Sequence, residues 1–521
     1  MRVNVAAYGA VGNGLTDDRA AIQAAIDAVS AAGGGVVEFG AGTFICTQNS
    51  TLPYCLNVPS GKIRLVGESM ATAILKQAPG IGVCRLIRLV GDLCEVSNLT
   101  LDGNKATQSV SEHRHGIFAD ACTNLIIDKV YAKNFTGDGF YVYTNCLRVT
   151  FRDCFATAND RNGMTLGQQA TDLAVLGGYY FSNAFTQIDS EPVGTSKVES
   201  VRVVGASLDC GAINAVAVTI SGTDEAQGRG WSVVGNTING PVHQVWCDDV
   251  TIVGNHGKNA CTKPLINYYR KGTRLVAIGN VGECTQTTVD WVPGLDAGGA
   301  GGDDTPTHAI YACNAIKVSK DTTTGIRAQG AKSLMVLGNS IQGAGITQAS
   351  SAGVYIRPTD QANDMRASLV VGNYVQNFGK YGVRYTGNQT AKQLATVCAS
   401  NVFDDTANTQ THGVSLDEST PLNSLQAIAL VGNQLAGGCT TGVVNFPAAP
   451  VVIGGMPGGP PITSDAGLLS AATAPPLVDF TGSPEDNVAA AVGTIGVRKD
   501  VAQVWVKTSG AGDDKGWVRI A

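Results

Sequence analysis

From about residue 60 to residue 450 the chain alternates short apolar runs with glycines and small polar residues, and one phrase keeps returning. It is apolar-Gly-Asn: Val234-Gly235-Asn236, Val253-Gly254-Asn255, Ile278-Gly279-Asn280, Leu337-Gly338-Asn339, Val371-Gly372-Asn373 and Val431-Gly432-Asn433, with Asn401 keeping the Asn alone. The Asn-to-Asn steps are 19, 25, 59, 34, 28 and 32, so the 59 conceals a missed coil or a long insertion. A second strand often follows each phrase, as in Gly353-Val354-Tyr355-Ile356, Gly382-Val383-Arg384-Tyr385 and Gly413-Val414-Ser415-Leu416. The earlier counterparts are Gly116-Ile117-Phe118-Ala119, Gly139-Phe140-Tyr141-Val142 and Gly163-Met164-Thr165-Leu166. Periods of roughly 20–35 residues with several short strands and no helical period predict a parallel β-helix of about ten to twelve coils. Asn at one turn of successive coils predicts a hydrogen-bonded ladder, with the Asn taking up the left-handed backbone such turns need.

Ahead of the repeat, Ile22, Ile26 and Val29 recur at helical spacing behind Thr16-Asp17-Asp18 and before Gly33-Gly34-Gly35. A helix near residues 18–32 is therefore expected to cap the open end of the solenoid. The expected organisation is 1–59 for the cap and first coils, 60–446 for the β-helix, 447–483 for a Pro/Gly-rich linker, and 484–521 for a small antiparallel β module. Residues 294–306 read as a Gly/Asp-rich excursion. The fold class is all-β.

Composition narrows the partners. Gly accounts for 65 of 521 residues, charged residues for 15 %, and the net charge is −6 with no basic run. Nucleic-acid and anionic-membrane partners need clustered Lys and Arg, so neither is expected. No apolar stretch is long enough to insert in a membrane, and the start lacks a signal-peptide core. The 14 Cys lack any CxxC pair and read as buried, reduced thiols of a protein made in the cytoplasm.

Three segments carry a family resemblance. Residues 6–44, AAYGAVGNGLTDDRAAIQAAIDAVSAAGGGVVEFGAGTF, resemble the opening of the pectate-lyase-like, right-handed β-helix superfamily, which includes pectinases, epimerases and bacteriophage tailspikes. Ile188-Asp189-Ser190-Glu191-Pro192 resembles an acidic strand of that superfamily, and residues 484–521 resemble the C-terminal module of phage tail fibres and tailspikes. The resemblance implies a homotrimeric tailspike carried on the virion, made in the host cytoplasm and acting at the bacterial surface. Its partners would be a surface polysaccharide (capsule, exopolysaccharide or O-antigen) and a phage tail or baseplate protein. The sequence departs from that resemblance in showing no N-terminal virion-anchoring domain, which leaves two readings open: Met1 is not the protein's natural start, or attachment uses another protein.

Candidate chemistry centres on carboxylates. Strand alternation places Ile188 inward and Asp189 and Glu191 together on the solvent side, their backbones about 6.6–6.8 Å apart. That spacing leans toward an inverting glycosidase, and like charges so close raise one pKa, as a general acid needs. Asp160 is the third catalytic candidate, from the preceding coil. Asp138, Tyr141, Tyr143, Tyr355, Arg357 and Arg384 are candidates for substrate binding, by ring stacking and by pairing with sugar oxygens or carboxylates. Phe118, Asp120 and Thr165 share the outward columns. His113 and His115 form an HxH without a convincing third ligand, so it reads as a polar loop and no cofactor or metal is expected. G-x-S-x-G, HExxH and phosphate-cradling loops are absent from the sequence. The expected activity is hydrolysis of a bacterial polysaccharide by a carboxylate pair. The alternatives are a lyase acting on a uronic-acid polymer and a non-catalytic receptor-binding fibre.

Overall fold

The computed structural model describes residues 1–59, 61–211, 216–220, 227–245, 247–259, 265–269, 273–284, 295–298, 308–318, 324–329, 331–344, 351–357, 367–386, 396–407, 410, 412–417, 428–439, 441–444, 451–454, 477–480, 495–498, 503–507 and 517–519. The chain winds into a parallel β-solenoid of about 12 turns. Each turn supplies short strands to three parallel ladders. Ile117, Phe140, Met164, Ile188 and Val218 stack in register in the first. Val149, Leu173, Val201, Trp231 and Val250 do so in the second, and Ala156, Tyr180, Leu208 and Ile238 in the third. These columns point inward and are buried, giving one continuous core. Burying each of the larger side chains contributes about 1.5–3 kcal/mol, which is how short strands hold without helices between them.

The helix α1, Arg19–Ala31, lies where its spacing predicts and buries Ile22, Ala25, Ile26 and Val29 against the first strands. Asp18 precedes it without capping it. Its carboxylate instead accepts the backbone N–H groups of Val11 at 2.6 Å and Gly12 at 3.1 Å, tying the entry loop to the helix start.

The asparagine ladder is present and longer than the sequence phrase reveals. It runs from Asn236 through Asn255, Asn280, Asn314, Asn339, Asn373 and Asn401 to Asn433. Each side-chain amide donates to the next Oδ1 at 2.8–3.0 Å. Asn314 fills the 59-residue step, confirming a missed coil. The left-handed backbone, expected at the Asn, belongs to the residue before it: Gly235, Gly254, Gly279, Gly338, Gly372 and Gly432 have φ of 60–67°, and Cys313 and Ser400 have φ of 53°. Glycine turns the chain without a Cβ penalty, leaving Asn to point inward and bond.

Several boundaries move. Leu295–Gly298, inside the expected excursion, is a strand of the first ladder, and the rest of 294–306 lies outside the described residues. The solenoid runs on to Val451–Gly454, past the expected end at 446. Near the C-terminus, Ile495–Arg498, Gln503–Lys507 and Trp517–Arg519 pair antiparallel as expected. Leu477–Phe480 adds a parallel fourth strand from within the expected linker, whose other residues lie mostly outside the described ones. Of the 13 described cysteines, all but Cys313 are buried. No described helix is long and apolar enough to cross a membrane.

Candidate active site

A pocket of about 350 Å³ opens on the first ladder, lined by Arg85, Phe118, Tyr141, Arg161 and Glu191, with His115, Tyr143, Glu112, His113 and Gln168 completing it. Strand pairing builds it. Phe118, Tyr141, Thr165 and Asp189 occupy one outward column on four successive rungs. The turns before those strands deliver His115, Asp138 and Arg161 to the same end of the sheet.

His115 is 2 % exposed and stacks on Tyr141 with ring centroids 4.6 Å apart. Its Nδ1 lies 3.3 Å from both the backbone nitrogen and Oδ2 of Asp138. These contacts demand opposite protonation of Nδ1. With Nδ1 accepting from the Asp138 N–H, Nε2 carries the proton; with Nδ1–H directed at the buried carboxylate, a bond roughly twice as strong as a neutral one, Nε2 is the unprotonated nitrogen. Burial lowers the His115 pKa against the opposing pull of Asp138, keeping the ring neutral near pH 7. Burial, with Glu191 and Asp138 nearby, raises the Tyr141 phenol far above its usual range, so Tyr141 keeps its proton.

Arg161 joins three carboxylates. It donates to Asp138 Oδ2 at 2.8 Å and to Glu191, and lies 3.8 Å from Glu112. Burial works against the cation, but Asp138 and Glu191 together outweigh it. Arg85 differs: its guanidinium lies over the Phe118 ring at 4.7 Å, and its buried Nε has no hydrogen-bond partner. Among the described residues it makes no ion pair.

Residues 2–186, which carry most of this pocket, match the family described as rhamnogalacturonase A/epimerase, pectate lyase-like. The chain is a parallel β-helix protein whose first third is similar to that pectate-lyase-like family. This β-helix protein is 34 % identical over 177 residues to the mannuronan C5-epimerase AlgE4 of Azotobacter vinelandii, covering 31 % of this chain and 32 % of that protein. It is 28 % identical over 178 residues to alginate lyase 7 of the same organism, covering 31 % and 20 %. The chain thus spans a third or less of the length of the curated relatives it matches. Its fold resembles that of the tailspike protein gp49 of Pseudomonas phage LKA1, at a TM-score of 0.52 and 13 % identity, over 86 % of this chain and 84 % of that one.

Of the residues the sequence singled out, the β-helix protein brings Asp138, Tyr141, Tyr143, Asp189 and Glu191 together, with changed roles. Asp189 does not face solvent. It is 8 % exposed, because Asn162 from the preceding turn covers it and donates to its Oδ2 at 3.0 Å. It also shares a side-chain hydrogen bond with Glu191. The two carboxyls are therefore in contact and not separated by the space a sugar and water need. Burial first, then Glu191, holds Asp189 well above the usual carboxylate range, against the opposing pull of Arg161. Asp138 is fully buried and holds Arg161 and His115, so it cannot touch substrate.

Asp160 turns to Lys105 at 2.7 Å, and its neighbour Arg161 enters the site in its place. Tyr355, Arg357 and Arg384 belong to the same ladder but begin six rungs further on, about 29 Å away. There Arg384 lies over the Tyr355 and Tyr381 rings at 5.6 and 5.5 Å. The HxH is not a polar loop throughout: His113 is exposed, but His115 is buried in the site. Arg85, Arg161 and Asn162 were missed outright. The signal available was a buried-type His beside apolar Ile117, facing Asp138 one coil on.

Proposed function

We propose that this chain acts on a uronic-acid-containing polysaccharide by removing the proton next to the sugar carboxylate. The observation that carries this reading is the meeting, in one pocket, of Arg85, which makes no ion pair among the described residues, with a neutral His115 and a protonated Tyr141. Arg85 would take the substrate carboxylate through a two-pronged ion pair. That pairing acidifies the C5–H bond. His115 Nε2 accepts the proton, and Asp138 steadies the imidazolium that forms. The electron pair on C5 then expels the C4 oxygen, which Tyr141 protonates, leaving a C4–C5 double bond and a cut chain. If the C4 oxygen stays, reprotonation from the opposite face inverts C5 without a cut.

The names of the relatives, mannuronan C5-epimerases and an alginate lyase, support the same proton abstraction. Hydrolysis by Asp189 and Glu191 is less well supported, since their mutual hydrogen bond occupies both groups. The resemblance of 484–521 to tail-fibre modules supports a homotrimeric, virion-borne protein acting on a bacterial surface polymer, its C-terminal sheet too small to bury a core alone.

The test is product analysis on a panel of uronate polymers. Wild type should give unsaturated or C5-inverted products, and His115→Ala should lose at least about two decades of rate, as expected for loss of a general base. Saturated fragments with new reducing ends would refute it.

A further inference from the structure

At the floor of the pocket, five residues close a ring of hydrogen bonds. Arg161 Nη1 donates to Asp138 Oδ2 at 2.8 Å, and Nη2 to Glu191. Glu191 bonds Asp189, and Asp189 Oδ2 accepts from Asn162 Nδ2 at 3.0 Å. The backbone N–H of Asn162 returns to Asp138 Oδ1 at 2.9 Å. His115 hangs from this ring through Asp138.

The ring contains three carboxyl groups and one guanidinium. Two carboxyls share a hydrogen bond only if one of them carries a proton. Asp189 is the more deeply buried of the pair, so the proton resides there. Asp138 and Glu191 then both face Arg161, with Glu112 farther off and exposed. Thr165 and Thr219 flank Asp189 on the neighbouring strands and add no charge.

We propose that Asp189 is a positioning residue: as a neutral carboxylic acid it donates to Glu191, and Glu191 thereby holds Arg161 where it fixes Asp138 and, through it, His115. The consequence for turnover rests on His115 being the base, as read above, but the arrangement of the ring does not. Asp189 touches neither the pocket nor the reacting atoms, which separates this role from that of a general acid.

Asparagine tests it, because it has the shape of a protonated aspartate. Its N–H donates to Glu191 and its oxygen accepts from Asn162. The experiment is histidine-selective NMR of the full-length protein, with His115 assigned by the signal lost in His115→Ala, alongside turnover on a uronate polymer. Asp189→Asn should leave the His115 tautomer and titration unchanged and keep the rate within a factor of a few. Asp189→Ala should free Glu191, draw Arg161 from Asp138 and raise the His115 pKa, lowering kcat with KM little changed. Should the alanine variant not fold, Glu191→Gln removes the same hold on Arg161 and should move His115 the same way. The proposal is overturned if Asp189→Asn shifts His115 as far as Asp189→Ala or Glu191→Gln does. It is also overturned if Asp189→Asn costs about two decades of rate with His115 undisturbed, the signature of a general acid. The NMR arm decides the matter even if no uronate polymer is turned over, so failure of the ring and failure of the functional reading are distinguishable.

Discussion

Replacing Asn339 by alanine removes four hydrogen bonds from the interior of the solenoid. Oδ1 accepts from the backbone N–H and the side-chain amide of Asn314, both at 2.9 Å, and Nδ2 donates to Tyr311 O and Asn373 Oδ1, again at 2.9 Å. Asn339 is buried, so no water replaces them. At about 0.5–1.5 kcal/mol per bond, and with the Asn314 N–H left without a partner, the loss is about 3–5 kcal/mol. A solenoid is held rung against rung, so this loss falls locally and need not unfold the chain. Native-state hydrogen exchange over residues 308–344 reads it directly: protection should fall by about two to three and a half decades at 1.4 kcal/mol per decade. Gln342→Ala, at an exposed position nearby, should change protection little, since such substitutions stay within about 0.5 kcal/mol. If Asn339→Ala lost less than about one decade, or no more than Gln342→Ala, the ladder would not be a main support of the fold.

Three further outcomes follow from the site and the assembly. The base His115 must be neutral, and burial sets its pKa below 6.5, so kcat/KM should be flat near neutrality and decline only as pH falls through that lowered value; an acid limb centred above 6.5 would contradict the environment described. Arg85→Gln should raise KM for an anionic polymer by about 10- to 100-fold, the equivalent of a charge-assisted hydrogen bond of about 1.5–3 kcal/mol, while thermal stability holds; an unchanged KM removes Arg85 from substrate recognition. Deleting residues 484–521 should convert a trimer to monomer in light scattering, and an undeleted chain that is already monomeric at micromolar concentration would end the assembly reading.

The repeat was legible because it is periodic. Gly-Asn pairs at steady intervals follow from a turn that needs one residue with positive φ and one buried amide. Asn314 escaped notice only because Cys313 occupies the left-handed position that glycine holds elsewhere. Inward columns were legible for the same reason, and Ile188 stacks on Met164 as alternation requires. Alternation gives direction but not cover. Asp189 points outward from its strand, yet Asn162, 27 residues earlier, lies over it. No local pattern encodes that contact. Turn residues were harder still: Asp160 and Arg161 are adjacent, and which of them turns into the site depends on Lys105 drawing Asp160 away from 55 residues back. His115 was visible as half of an HxH. Its partner Asp138 was visible as a turn carboxylate, but the contact between them spans one coil, a separation that no local motif encodes.

Proton removal from the carbon beside a sugar carboxylate leaves an isotopic trace. The most direct measurement is NMR of uronic-acid polymers incubated with the full-length protein in deuterium oxide. The expected result is either deuterium at C5 of inverted residues or a C4–C5 double bond at new chain ends, both abolished by His115→Ala. Chain cutting that yields only saturated ends, with protium retained at C5 and His115→Ala as active as wild type, would contradict it.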